Sequence, residues 1–356
     1  MSQDRTAEDE RSRRELVETR LGNEDVRRML VRYLVESPCA ITAELMDELV
    51  RDGALPEDAA FLALLVEICG LDPEMDRRHW HLVRDYLRPS VRMLDAATYA
   101  RNPYYRDIEV PHVSYGRWML KHESYAPFEA FLRDDILLCD DFREIPRVGF
   151  FRESFAYPVV LEGAREWMAV KPSEIESMNR AIERVEGNVV AFGLGLGYFA
   201  YMASLKDSVR NVTVVEQDVD VVRLFEDHIL PQFRHKAKVR VVVDDAFRFV
   251  RGPMRATRPD WAFVDLWHDA SDGLEPYLEM RAMENLHPGT RFLYWAEGSL
   301  LSNLRWRIFD RVVESAGSYE EIVRRLGVDA LRGISMDVEA VDGMSPEDEG
   351  GTARRR

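Results

Sequence analysis

The sequence predicts an α/β chain: a doubly wound, mostly parallel sheet, preceded by a helical N-terminal domain and a β-hairpin. Three observations carry this. Before residue 146 the apolar residues recur at helical spacing. From Asn188 onward, short apolar or β-branched runs alternate with stretches of helical period. The first of those runs leads into a glycine-rich turn. Largely apolar strands that alternate with helices imply a parallel sheet covered on both faces.

Residues 1–22 mix both charges densely and read as a mobile lead-in. A helical domain is expected over residues 23–145, with the pattern clearest as far as about Leu132. "NEDVRRMLVRYLVES" places Val26, Met29, Leu30, Tyr33 and Leu34 on one face, with Asn23 as the cap. "TAELMDELVRDG" and "PEDAAFLALLVEICG" follow, each ending at a glycine, and "RHWHLVRDYLRPSVRML" continues the pattern until Pro89 interrupts it. Residues 146–171 read as a hairpin connector, because "YPVVLEG" and "REWMAV" flank a short glycine turn. Ser173 and Glu176 have capping-box spacing, so a helix is expected from there to Gly187.

The α/β domain is expected over 172–340. Its strands are "NVVAF", "VTVVE", "KVRVVV", "DWAFVDL" and "TRFLYWA", with a helix after each. "GISMDVEAV" could supply one more strand. Residues 341–356 read as a disordered tail.

Composition narrows the function. Hydrophobic residues make up 46% and charged residues 31%, which is ordinary for a globular protein. The net charge is -16. Phosphate neutralisation drives nucleic-acid binding, so so acidic a chain is a poor nucleic-acid enzyme. No apolar run is long enough to span a membrane, and the N-terminus lacks the apolar core of a secretory signal. Cys39, Cys69 and Cys139 are far apart and lack metal-site spacing. They read as reduced, mostly buried thiols of a cytoplasmic protein. The oligomeric state is open, a homo-oligomer included.

The informative stretch is "VVAFGLGLGYFAYMAS", with Gly193, Gly195 and Gly197 two apart. A turn from a first strand into a helix offers free backbone N–H groups to a ligand. Dinucleotide sites use G-x-G-x-x-G, but here the third position of that pattern is Tyr198. The G-x-G-x-G form resembles the first motif of class I S-adenosylmethionine-dependent methyltransferases, a Rossmann-like family. The resemblance covers roughly residues 173–315. It implies that Glu216, closing "VTVVEQD", holds the ribose hydroxyls of S-adenosylmethionine. It also implies that Asp245, Ala246 and Phe247 of "VVVDDAFRF" bracket the adenine. Asp265 of "WAFVDLWHD" would then reach the reaction end of the cleft. The chain departs from the family at Ala191, where an acidic residue usually helps hold the methionine end.

The activity so implied is methyl transfer to a small molecule by in-line displacement, with Asp265 or His268 positioning or deprotonating the acceptor. Tyr198, Trp267 and Trp295 are candidate substrate contacts. Two subfamilies sharpen the choice. Spermidine synthase is similar in its hairpin and in the aspartate after the fourth strand. It implies aminopropyl-type transfer, although its Gly-Gly-Gly-x-Gly loop is missing here. Catechol O-methyltransferase is similar at "VDLWHD". Its metal-binding carboxylates would correspond to Asp265 and Glu297, but Gly298 stands where it has asparagine, so no metal is expected. A third alternative is a non-catalytic member serving as an interaction module. "RNPYYRD" approaches a DNA adenine methyltransferase motif, but Tyr104 replaces its second proline. It reads as a proline turn.

Overall fold

The computed structural model describes residues 2–51 and 55–315. It is a mixed α/β protein whose centre is a five-stranded, all-parallel sheet, compatible with a Rossmann-like fold. The strands are β1 (Gly187–Phe192), β2 (Val209–Glu216), β3 (Val239–Val243), β4 (Trp261–Val264) and β5 (Arg291–Tyr294). Their order in the sheet is β3-β2-β1-β4-β5. Alternate side chains leave opposite faces of a strand, and both faces are covered here. Val189 and Ala191 enter one core with Ile175, Phe199 and Phe225. Val190 and Phe192 enter a second with Phe249, Tyr277 and Leu304. That two-sided burial explains why the strands read as nearly unbroken apolar runs.

Helices open the chain ahead of this sheet. One helix runs unbroken over Ser2–Glu36 and contains the lead-in. Ala43–Val50, Glu57–Ile68 and Arg77–Leu82 follow. Val26, Leu30 and Tyr33 are buried, and Met29 and Leu34 pack beside them. Asn23 is inside the first helix and does not cap it. Its amide donates to the Phe142 carbonyl at 2.9 Å and accepts from the Glu144 N–H at 3.0 Å.

The helical pattern expected as far as Leu132 is corrected. Helix ends at Asp107, and strands take over from Val113. Val113–Tyr115 and Trp118–Tyr125 join Phe155–Glu162 and Arg165–Ala169 in a four-stranded antiparallel sheet. The expected hairpin is the last two of those strands, with Gly163 at positive φ in its turn. A smaller sheet pairs Val148–Phe151 with Arg92–Leu94 and Phe131–Leu132. The N-terminal helices pack on it, with Phe61 stacked 4.0 Å from Phe150.

Local expectations change too. The helix Pro172–Arg184 starts at Pro172, after Lys171, without a side-chain cap from Ser173. The thiols are not mostly buried: Cys39 is exposed and Cys69 and Cys139 are half-buried. The possible strand at "GISMDVEAV" and the 341–356 tail lie outside the described residues. Among the described residues no helix is long and apolar enough to cross a membrane.

Candidate functional site

Strand order reverses between β1 and β4, and a crevice opens there at the C-terminal strand ends. Open α/β sheets bind ligands at this position. The chain leaves β1 at Phe192, crosses Gly193 to Gly197, and enters the helix Tyr198–Ser204. Gly193 has φ 93°, and a Cβ there would stand 1.9 Å from the Asp265 carbonyl oxygen. The tips of β1 and β4 are therefore pressed together, as the Asp265 N–H bond to the Phe192 carbonyl at 2.9 Å confirms. Gly197 has φ 72° and takes the left-handed turn into the helix.

A cleft of about 1190 Å³ lies over these tips. Gly193 and Gly195 of the loop line it together with Glu216, Asp245, Ala246 and Phe247. Glu216 ends β2. One of its carboxylate oxygens accepts from the Leu194 N–H at 3.2 Å and the other from the Asp218 N–H at 2.9 Å. Burial pushes this carboxyl up, and those backbone donors pull it back. Asp245 caps the helix Ala246–Arg251 by accepting from the Arg248 N–H at 2.7 Å. The cap fixes the turn that presents Ala246 and Phe247.

At the other side of the reversal is Asp265, just beyond β4. Enclosure by protein pushes its carboxyl up to about 7, with the Glu216 charge adding to the rise. Glu174, in the first turn of Pro172–Arg184, also lines the cleft. Burial, with the Asp265 charge adding to it and Lys171 opposing, lifts it to about 8. Trp295 lies against Glu174, and its indole N–H donates to Ser177 Oγ at 2.9 Å. Lys171 is paired with Glu166 of the hairpin. Glu174 was missed in the sequence because Ser173 and Glu176 offered a capping-box reading of the same turn.

His268 lines the cleft too, but its ring is engaged on both sides. Nε2 donates to the Glu166 carbonyl at 2.8 Å, and Nδ1 is 3.3 Å from the Asp269 carboxylate. With both nitrogens facing acceptors, the imidazole ties the hairpin to the helix Ala270–Met283, which Asp269 and Asp272 cap as a box.

Of the three aromatic candidates, Trp295 faces the cleft. Trp267 touches it, but its ring is buried against Tyr277 and Tyr294. Tyr198 is corrected to a core residue. It is 1% exposed, and its hydroxyl accepts from Asn102 Nδ2 at 2.9 Å. Glu297 accepts from the Tyr277 hydroxyl at 2.8 Å and does not line the cleft. Among the described residues no group of three or more His, Cys, Asp or Glu could hold a metal ion.

"RNPYYRD" has a structural role next to the site. Asn102 caps the short helix Pro103–Asp107. The Tyr104 hydroxyl, fully buried, donates to the Leu196 carbonyl of the glycine loop at 2.7 Å. Asn102 holds Tyr198, as above, so this segment braces the loop from behind. Comparison with known proteins finds no family model that matches the chain and no match among curated proteins.

Proposed function

We propose that the chain is an S-adenosylmethionine-dependent methyltransferase acting on a small molecule. The observation that carries the reading is the glycine loop bonded to Glu216 at the point of strand reversal. Leu194 donates to Glu216 beside Gly193 and Gly195, so the loop and the acidic residue form one wall of the cleft. The residues fit the cofactor's chemistry. The glycines leave room for close approach, and Glu216 keeps lone pairs for vicinal hydroxyls. Asp245, Ala246 and Phe247 offer an acceptor and an apolar face to an adenine. Ala191, buried in the strand, leaves the usual carboxylate position without an acid; Glu174 and Lys171 of the same cleft are charged groups that would meet a methionine end.

S-adenosylmethionine supplies a sulfonium methyl group that an acceptor's lone pair can displace. The chain's part is to position that acceptor and take its proton. Asp265 suits this better than His268. Its carboxyl faces the cleft and is raised toward neutrality, whereas both nitrogens of His268 are engaged. Titration calorimetry with S-adenosylhomocysteine tests the reading. Binding in the micromolar range supports it, and no heat at millimolar ligand overturns it.

One observation favours aminopropyl-type transfer as the second reading. The cleft is lined by eleven Asp and Glu residues against three Lys and Arg. A cleft so charged suits a polycationic acceptor. Turnover with decarboxylated S-adenosylmethionine and a polyamine, but not with the ordinary cofactor, would select it.

A further inference from the structure

The small three-stranded sheet carries an arginine whose charge the fold leaves unanswered. Arg133 follows Phe131–Leu132, and its backbone N–H donates to the Arg147 carbonyl at 2.8 Å, so these two residues sit opposite each other. Across the middle strand, Arg92 pairs with Gly149, as Phe131 does on the other side. Residues opposite one another share a face of a sheet, and so do residues two apart along a strand. Arg92, Arg133 and Arg147 therefore stand on one face, around a glycine. The Arg133 stem lies over that glycine: a Cβ on Gly149 would stand 3.0 Å from the Arg133 Cβ. The other face carries Phe150 and packs on Phe61.

The three guanidiniums are not equally answered. Arg147 is ion-paired with Asp134. Arg92 is half-exposed; its Nη1 donates to the Val91 carbonyl at 2.8 Å and lies 4.0 Å from Asp58. Among the described residues no hydrogen bond or ion pair reaches the Arg133 guanidinium, and its Nε is buried without a partner. Tyr99, whose charge would bear on it, donates its hydroxyl proton to Glu176 at 2.9 Å. A guanidinium stays charged and has five donors. Enclosing it unpaired is unfavourable, and like charges on either side make it more so.

We propose that Arg133, with Arg147 and Arg92 beside it, is a binding site for a doubly charged oxyanion, a phosphate group either free or as a monoester. A tetrahedral dianion has oxygens enough to accept forked donors from more than one guanidinium. A carboxylate, with one charge and two oxygens, would leave part of the cluster unanswered. None of the three arginines lines the cleft, whereas Asp134, held by Arg147, does. The site is thus a second one, behind the cleft wall, and the inference does not rest on the methyltransferase reading.

The test is calorimetry on the full chain at pH 7, in phosphate-free buffer with ionic strength held by sodium chloride. Inorganic phosphate should bind with a Kd below about 1 mM, at least about tenfold tighter than acetate. Glycerol 3-phosphate, titrated in parallel, separates the sources: tighter binding than inorganic phosphate assigns the site to a monoester, and weaker binding to the free ion. Arg133→Met keeps the stem over Gly149 and removes the charge. It should weaken phosphate at least about tenfold, while its melting temperature without phosphate equals or exceeds the parent's, because an unpaired charge has been taken out of an enclosed position. Arg92→Gln, at the exposed rim, should weaken phosphate about threefold. No binding of either phosphate, phosphate no tighter than acetate, or unchanged binding in Arg133→Met overturns the proposal. So does a melting temperature several degrees lower in Arg133→Met without phosphate, which would mean that the guanidinium already has a partner in the fold. S-adenosylhomocysteine should bind Arg133→Met as it binds the parent, so failure at one site leaves the other standing.

Discussion

The carbonyl oxygen of Asp265 lies 1.9 Å from where a Cβ on Gly193 would stand. The first and fourth strands thus meet at their tips with no room for a methyl group, and the same contact sets the crevice and the position of the Asp265 side chain. Gly193→Ala must move backbone, because the obstructing atom belongs to the main chain, and φ 93° disfavours any L side chain. Its cost should be about 3 kcal/mol, combining overpacking and backbone strain. Urea unfolding measures it. A loss under about 1 kcal/mol would show that the β1–β4 contact gives way.

Glu216 is the residue on which cofactor recognition turns. Glu216→Gln keeps the shape but loses the charge, and one amide oxygen remains for Leu194 and Asp218. Charge-assisted hydrogen bonds are worth about 1.5–3 kcal/mol, so S-adenosylhomocysteine should bind about 10–100-fold more weakly. Binding by calorimetry within threefold of the parent would remove Glu216 from the site.

How much of this was legible in the sequence follows from what each segment has to do. The strands of the parallel sheet were legible because burial on both faces leaves them almost wholly apolar. Glu216, Asp245 and Asp265 were legible because strand ends in such sheets are fixed by the runs before them. Trp118–Tyr125 was misread although it begins by alternating: Trp118 and Leu120 are buried while Met119 and Lys121 are not fully so, before His122 and Ser124, exposed on the face of Trp118, break the pattern. The helical periodicity upstream hid that change of period. Tyr198 shows the opposite limit. A tyrosine beside a glycine loop suits a pocket or a core equally well, and what decides is Asn102, 96 positions away. Glu174 was hidden because its partners arrive from the hairpin, β4 and the residue Trp295, none of them local to it.

The raised carboxyls give stability a definite pH dependence. The folded-state values of Asp265, about 7, and Glu174, about 8, stand above the ordinary 3.8 and 4.5. The folded protein therefore holds more protons than the unfolded chain between about pH 4 and 8, and unfolding releases them. Stability from these groups is full below the unfolded values and is lost as pH rises through the folded ones. The neighbouring charges are Glu216, Glu166 and Lys171. The melting temperature should fall from pH 5 to pH 8, and Asp265→Asn should flatten the slope. A parent whose melting temperature rises over that range contradicts the raised values of these two carboxyls.

The brace behind the glycine loop supplies the last prediction. Tyr104 is fully buried and its hydroxyl donates to the Leu196 carbonyl at 2.7 Å. Tyr104→Phe keeps the ring and its edge contacts with Tyr198 and Tyr201, but leaves the carbonyl buried without this donor. An unsatisfied buried acceptor costs about 1–3 kcal/mol. If the hydroxyl holds the loop in shape, S-adenosylhomocysteine affinity should fall as well, although Tyr104 does not line the cleft. Denaturation and calorimetry on the same variant separate the two effects. Lost stability with unchanged affinity would make Tyr104 a core residue only, and a loss of both would place "RNPYYRD" in the support of the binding loop.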